Sequence, residues 1–181
     1  MKRIKEIILV IFTFILIPNI SYSNGGYNQT IIHIYGSILS APCKVKNDVV
    51  NVEFGDIIGK YLYLHERTPS IPFYIELEDC RTNIADSVIV SFSGNPSYGD
   101  GLDGFLALDS NSVATGVAVG IEMENGQFLS LMDESKAIGL IEGDNILPFK
   151  AFVQGDETVL KNKSLGFGEF WATATFILEY L

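Results

Sequence analysis

Gly168-Glu-Phe-Trp-Ala-Thr-Ala-Thr-Phe-Ile-Leu-Glu-Tyr-Leu181 is the stretch that decides the fold. Phe170, Ala172, Ala174, Phe176, Leu178 and Tyr180 recur at every second position. In an extended strand successive side chains point to opposite faces, so these six share one face. A strand with so apolar a face must pair and pack against something. Its two central members are alanines, which leave a shallow trough where large side chains of another chain could lie. No sequence follows Leu181 to supply a neighbouring strand, so the expectation is assembly rather than catalysis.

The first 23 residues read as a secretory signal. Lys2, Arg3 and Lys5 form a basic start, and Ile7 to Ile17 an apolar run. That run, about 11 residues, suits a signal sequence and is too short to span a bilayer as an uncleaved anchor. Pro18 and Asn19 break it, and Ser21 and Ser23 stand at −3 and −1 of a cut before Asn24. Cleavage removes three basic residues and Glu6, which takes the formal charge from −10 to −12. Such a chain repels nucleic acid and anionic lipid and favours a basic partner surface.

Cys43 and Cys80 are the two cysteines. In an exported chain they are expected to pair. Closing a loop of about 38 residues stabilises by roughly 4 kcal/mol on the chain-entropy estimate. A thiol nucleophile or metal pair lacks a nearby histidine or a Cys-x-x-Cys spacing.

Strand signals dominate residues 30–181. Residues 30–39 are β-rich, and Val49–Phe54 reads as a short strand ended by Gly55. Pro72–Leu77 places Phe73, Ile75 and Leu77 on one face; Ser87–Ser93 does the same with Val88, Val90 and Phe92. Phe105–Leu108 is a short apolar piece. Val117–Met123 and Gln127–Leu131 flank Glu124-Asn125-Gly126, a hairpin signal because Asn and Gly both tolerate positive φ. Ile146–Val153 and Glu169–Leu181 complete the set. There is no convincing amphipathic helix; a turn around Asp133–Ala137 is the best candidate. Many short strands with regular turns predict a single β-sandwich domain. The disulfide would tie the strand before Val49 to the end of the strand before Arg81.

Residues 24–35 stand apart. Asn24-Gly25-Gly26 is polar, then the chain turns into Thr30-Ile31-Ile32-His33-Ile34-Tyr35-Gly36. On period two, Asn28, Thr30, Ile32, Ile34 and Gly36 form one row. The pattern by itself fits an ordinary first strand of the sandwich.

Taken together, these pieces resemble the subunits of chaperone–usher fimbriae, the pilins of type 1 and P pili, over nearly the whole chain after residue 23. Gly36 is followed seven residues later by Cys43. Val52-Glu-Phe-Gly55 is similar to the family's V-x-F-G, and Pro72-Phe-Tyr-Ile-Glu-Leu-Glu-Asp-Cys80 to its f-x-i-x-L-x-x-C. Val88-Ile-Val-Ser-Phe-Ser-Gly94 and Ala114-Thr-Gly-Val-Ala-Val-Gly-Ile121 follow the same order, and Gly168 to Tyr180 is similar to the closing G-x-F-x-A-x-A-x-F-x-l-x-Y.

The resemblance implies an immunoglobulin-like β-sandwich lacking its last strand. The gap is a groove beside the C-terminal strand. A periplasmic pilus chaperone first fills it, and the N-terminal extension of the next subunit then replaces the chaperone at an outer-membrane usher. On this reading residues 1–23 are the signal peptide, 24–35 the donor-strand extension and 36–181 the pilin domain. Asn28, Thr30, Ile32, Ile34 and Gly36 form the donor row, and fully burying each isoleucine contributes on the order of 1.5–3 kcal/mol. Phe170, Ala172, Ala174, Phe176, Leu178 and Tyr180 floor the acceptor groove, and the Leu181 carboxylate meets a basic chaperone cleft. The implied partners are the chaperone, the usher and neighbouring pilins, with no nucleic acid; the implied location is the extracellular fimbrium, reached through the periplasm. Leu181 as the last residue, Thr30 where a small residue is common, and Tyr61, Tyr63 and Tyr74 depart from a major pilin. They favour a minor or tip-adaptor subunit, with a major pilin as the alternative.

Other chemistries find little support. His33 and His65 are the only histidines, and no nucleophile motif, phosphate loop, cofactor fingerprint or metal spacing accompanies them. Asp100, Asp103 and Asp109 among glycines do not fit a calcium-loop spacing and read as an acidic turn. The competing reading is a self-complete secreted β-sandwich that binds as a lectin-like or adhesin-like module. A two-domain adhesin would need a further domain of similar size, for which 181 residues leave no room.

Overall fold

The computed structural model describes residues 32, 35 and 41–181. The chain divides into two units, residues 1–38 and 39–181. Of the first only Ile32 and Tyr35 are described, both exposed. The expected signal peptide, most of the donor row (Asn28, Thr30, Ile34 and Gly36) and His33 lie outside the described residues, as does most of the β-rich stretch 30–39.

Among the described residues the second unit has eight strands and two short helices. In chain order they are β1 (Lys44–Val45), α1 (Gly59–His65), β2 (Ile71–Cys80), β3 (Ser87–Gly94), β4 (Val117–Met123), β5 (Phe128–Leu129), β6 (Ile138–Gly139), β7 (Gly143–Gly155), α2 (Glu157–Asn162) and β8 (Ala174–Tyr180). One sheet runs β1-β2-β7-β4-β5 and the other β6-β3-β8. Every pairing is antiparallel. The two sheets make an immunoglobulin-like sandwich.

The alternation read from the sequence is what fills its interior. Phe73, Ile75 and Leu77 of β2, Val88, Val90 and Phe92 of β3, and Leu147, Phe149, Ala151 and Val153 of β7 are all buried in one cluster. Phe73, Phe92 and Phe149 meet with ring centroids 5.2–6.0 Å apart, two of the three pairs edge-on, the arrangement aromatic quadrupoles favour. Cys43 and Cys80 are bonded within this cluster. They join the residue before β1 to the last residue of β2, beside the rung Lys44↔Glu78.

Several local expectations change. The Asn-Gly hairpin forms, but only Gly126 takes positive φ, +85°. Its amide closes a turn onto the Met123 carbonyl, and Met123 N–H in turn reaches Gln127. The connection is therefore a three-residue loop with a left-handed glycine rather than a two-residue turn. Two helices appear where none was expected. Asp156 caps α2 by accepting the Val159 N–H, a signal carried by Asp-Glu-Thr-Val. α1 buries only Leu62, so it carries no amphipathic stripe to read. Asp133–Ala137 is not helical: buried Ser135 exchanges two hydrogen bonds with Val90 and extends the edge of β3. Phe105–Leu108 forms no strand beyond isolated bridges at Leu106.

Candidate functional site: a cleft beside the C-terminal strand

β8 pairs with β3 over seven rungs, from Val88↔Tyr180 to Gly94↔Ala174. Among the described residues no strand pairs with its other side. In an antiparallel ladder, alternate residues aim their N–H and C=O at the neighbour. The Leu181 amide donates to the Ser87 carbonyl at 3.0 Å, so the odd-numbered residues face β3. From the other side of β3, Val90 and Phe92 aim their carbonyls at Ser135 and Met132, which fits the same parity. The main-chain groups of Ala174, Phe176, Leu178 and Tyr180 therefore point outward along a free edge.

The same even-numbered residues carry the apolar row. Phe170, Ala172, Ala174, Phe176, Leu178 and Tyr180 are all half-buried and packed against the core, while the odd residues between them are all exposed. A finished core strand would bury such a row completely. Here Phe170, Ala172, Ala174 and Phe176 form one wall of a cleft of about 1140 Å³. The facing wall is the segment 48–55, and the floor is the core itself: Phe73, Phe92, Val119, Ile121 and Ala151. The sandwich is thus open to its own interior along this line. Burial lifts the Tyr180 hydroxyl above its ordinary pKa, as expected of a phenol partly withdrawn from water.

The segment 48–55 corrects one expectation. Val49–Phe54 is not a strand. Val50, Val52 and Phe54 do turn inward while Asn51 and Glu53 face solvent, so the side chains keep a strand's period. No backbone hydrogen bond joins residues 48–57 to another described element, because the cleft separates them from β8. Sequence pattern identifies the face and cannot show that the partner is missing. The walls come together where Phe54 meets Phe170.

A second hollow of about 540 Å³ continues past that end, between Asp56, Leu62, Phe167, Glu169 and Trp171. Ahead of β8, the segment 166–173 is held by residues 109–115. This is where the acidic turn residue Asp109 finds its role, accepting the Thr173 hydroxyl at 2.8 Å; Asp100 likewise accepts from Thr158. Sequence reading had no signal for these pairs, which lie about sixty residues apart. His65 stacks on Tyr61 at 4.2 Å on α1. Leu181 is exposed.

A profile of the family described as fimbrial protein matches residues 32–181. The major MR/P fimbria protein of Proteus mirabilis is 33% identical over 151 residues, 82% of each chain. The fimbrial adapter PapK of Escherichia coli is 30% identical over 158 residues, covering 80% of this chain and 84% of its own. In three dimensions the chain is similar to the crystal structure of the P pilus rod subunit PapA. That match has a TM-score of 0.64 at 24% identity and covers 78% of this chain and 100% of the other, a likeness of fold.

Proposed function

This chain belongs to the fimbrial protein family, and we propose that it enters its fibre by strand addition. It is a structural subunit that associates with other pilins in an extracellular fimbrium. In the proposal, the cleft beside β8 takes a strand from another molecule, and residues 24–35 supply such a strand to a neighbour. A single observation carries this: no described strand pairs with the outer edge of β8, and its outward main-chain groups belong to the same residues whose apolar side chains stop half-buried. An added strand would satisfy both at once.

The alternating Asn28, Thr30, Ile32, Ile34 and Gly36 fit the occupant's role. Two isoleucines would fill the trough left by Ala172 and Ala174. Before assembly the same cleft needs a temporary occupant, so the proposal includes a periplasmic chaperone, an outer-membrane usher and a signal peptide ending at Ser23. The exposed Leu181 carboxylate is the natural contact for a basic chaperone cleft. Within the fibre the chain is taken as a minor or tip-adaptor subunit. Mass spectrometry of sheared filaments tests that placement: one copy per fibre supports it, and dominance over the other subunits makes the chain the rod protein.

Expression of residues 24–181, alone and with residues 24–36 appended after Leu181, tests the mechanism. The appended form is expected to be a stable monomer and the plain form to aggregate or polymerise. A plain chain that is already a stable monomer, unaffected by the appended strand, would make it a self-complete binding module instead.

A further inference from the structure

β3 backs the acceptor edge only as far as the rung Gly94↔Ala174, yet the apolar row continues to Ala172 and Phe170. Something else must hold that end of the row in place. The loop 109–113 does so, largely with side chains. The Ser112 hydroxyl accepts the Trp171 N–H at 2.9 Å and donates to the Trp171 carbonyl at 3.1 Å. One side chain thereby imitates both main-chain groups of a partner strand. The Asp109 amide donates to the same carbonyl at 2.7 Å, and its carboxylate accepts the Thr173 hydroxyl. The Val113 amide reaches the Glu169 carbonyl.

All of these bonds fall on odd-numbered residues, 169, 171 and 173, in step with the parity set by β3. The alternation of burial also runs unbroken from 170 to 174. The N–H and C=O of Phe170 and Ala172 are left on the cleft side.

We propose that Asp109 and Ser112 are positioning residues for strand addition, replacing β3 as the backing for residues 170–173 and so lengthening the usable edge from four inward residues to six. This rests on the strand-addition reading above. Without the clasp, residues 170–173 would be a loop whose ordering an incoming strand must supply itself. With it, the acceptor is preformed along the whole row.

The test is amide hydrogen exchange on the chain carrying residues 24–36 after Leu181. In the unsubstituted form the amides of Phe170, Ala172, Ala174, Phe176, Leu178 and Tyr180 should all be protected. Ser112→Ala should speed exchange at Phe170 and Ala172 by on the order of tenfold, the value of about one hydrogen bond, and leave Phe176 to Tyr180 unchanged. Ser112→Thr, which keeps the hydroxyl, should restore protection. Thr173→Val provides a second variant at an outward-facing position that cannot disturb the core, and should act like Ser112→Ala in weaker form. Uniform protection in all variants, or a uniform loss along the whole edge, overturns the clasp while leaving strand addition standing. Absence of protection in the unsubstituted form overturns both.

Discussion

The rings of Phe54 and Phe170 stand 6.0 Å apart with a 38° tilt, the point where the two walls of the cleft meet. One ring belongs to a segment without ladder partners and the other to the apolar row. Their contact is therefore a direct tie between residues 48–57 and the C-terminal strand. Phe170→Ala is expected to destabilise the donor-appended chain by about 1–3 kcal/mol, less than the ~3–5 of a fully buried phenylalanine. With Phe54→Ala in a double-mutant cycle, a coupling of roughly 0.5–1.5 kcal/mol should appear in urea unfolding midpoints. Strict additivity would mean that the rings touch without holding the walls together.

Ala172 and Ala174 set the depth of the trough. Both touch the core and also line the cleft, so larger side chains there can extend into its open volume. Replacing both with Leu should leave the sandwich folded and occupy the volume an added strand needs. Recovery of the chain with the proposed periplasmic chaperone should fall by on the order of tenfold or more, since overfilled apolar sites cost about 1–3 kcal/mol each. Undiminished co-purification would show that the trough is not where the occupant's side chains lie.

Most of the sandwich could be read from periodicity, because Phe73, Ile75, Leu77, Val88, Val90 and Phe92 alternate and bury as alternating strands must. The apolar row from Phe170 to Tyr180 was equally visible. Pairing was harder to see. Val50, Val52 and Phe54 carry the same period as a strand but have no ladder, since period reports a face and says nothing of a neighbour. α1 was invisible because its sole buried residue is Leu62. The clasp of Ser112 on Trp171 joins residues 59 apart through a hydroxyl, and no local pattern announces such a bond.

The Cys43–Cys80 disulfide closes a span of 37 residues across β1 and the long segment that follows it. That span includes residues 48–57, which have no ladder of their own to hold them. Replacing both cysteines with Ala is expected to cost roughly 4 kcal/mol by the chain-entropy estimate. Urea unfolding of the donor-appended chain checks it, and the denaturant slope should rise as the freed chain exposes more surface. A loss below about 1 kcal/mol would mean that the cleft wall is held by packing alone.

Asp156 gives a pH dependence whose sign is fixed by geometry. Its carboxylate accepts the Val159 N–H at 2.9 Å and the Asp100 N–H at 2.8 Å. These bonds, Val159 foremost, hold its pKa below the ordinary value of 3.8, although partial burial opposes them. A carboxyl depressed in the folded state binds its proton more weakly there than in the unfolded chain. Its stabilisation is thus fully present above the ordinary value and is lost as pH falls through the folded one. Asp156→Ala removes the α2 cap and should cost about 0.5–2 kcal/mol near neutral pH. The difference in Tm between the two forms should shrink steadily below about pH 4 as the natural chain loses the same contribution. Asp156→Asn, which can still accept the Val159 N–H, should retain much of the stability while flattening the pH dependence. A Tm gap for Asp156→Ala that is as wide near pH 2 as near pH 7 would mean that the charge contributes nothing and the side chain matters only by its shape.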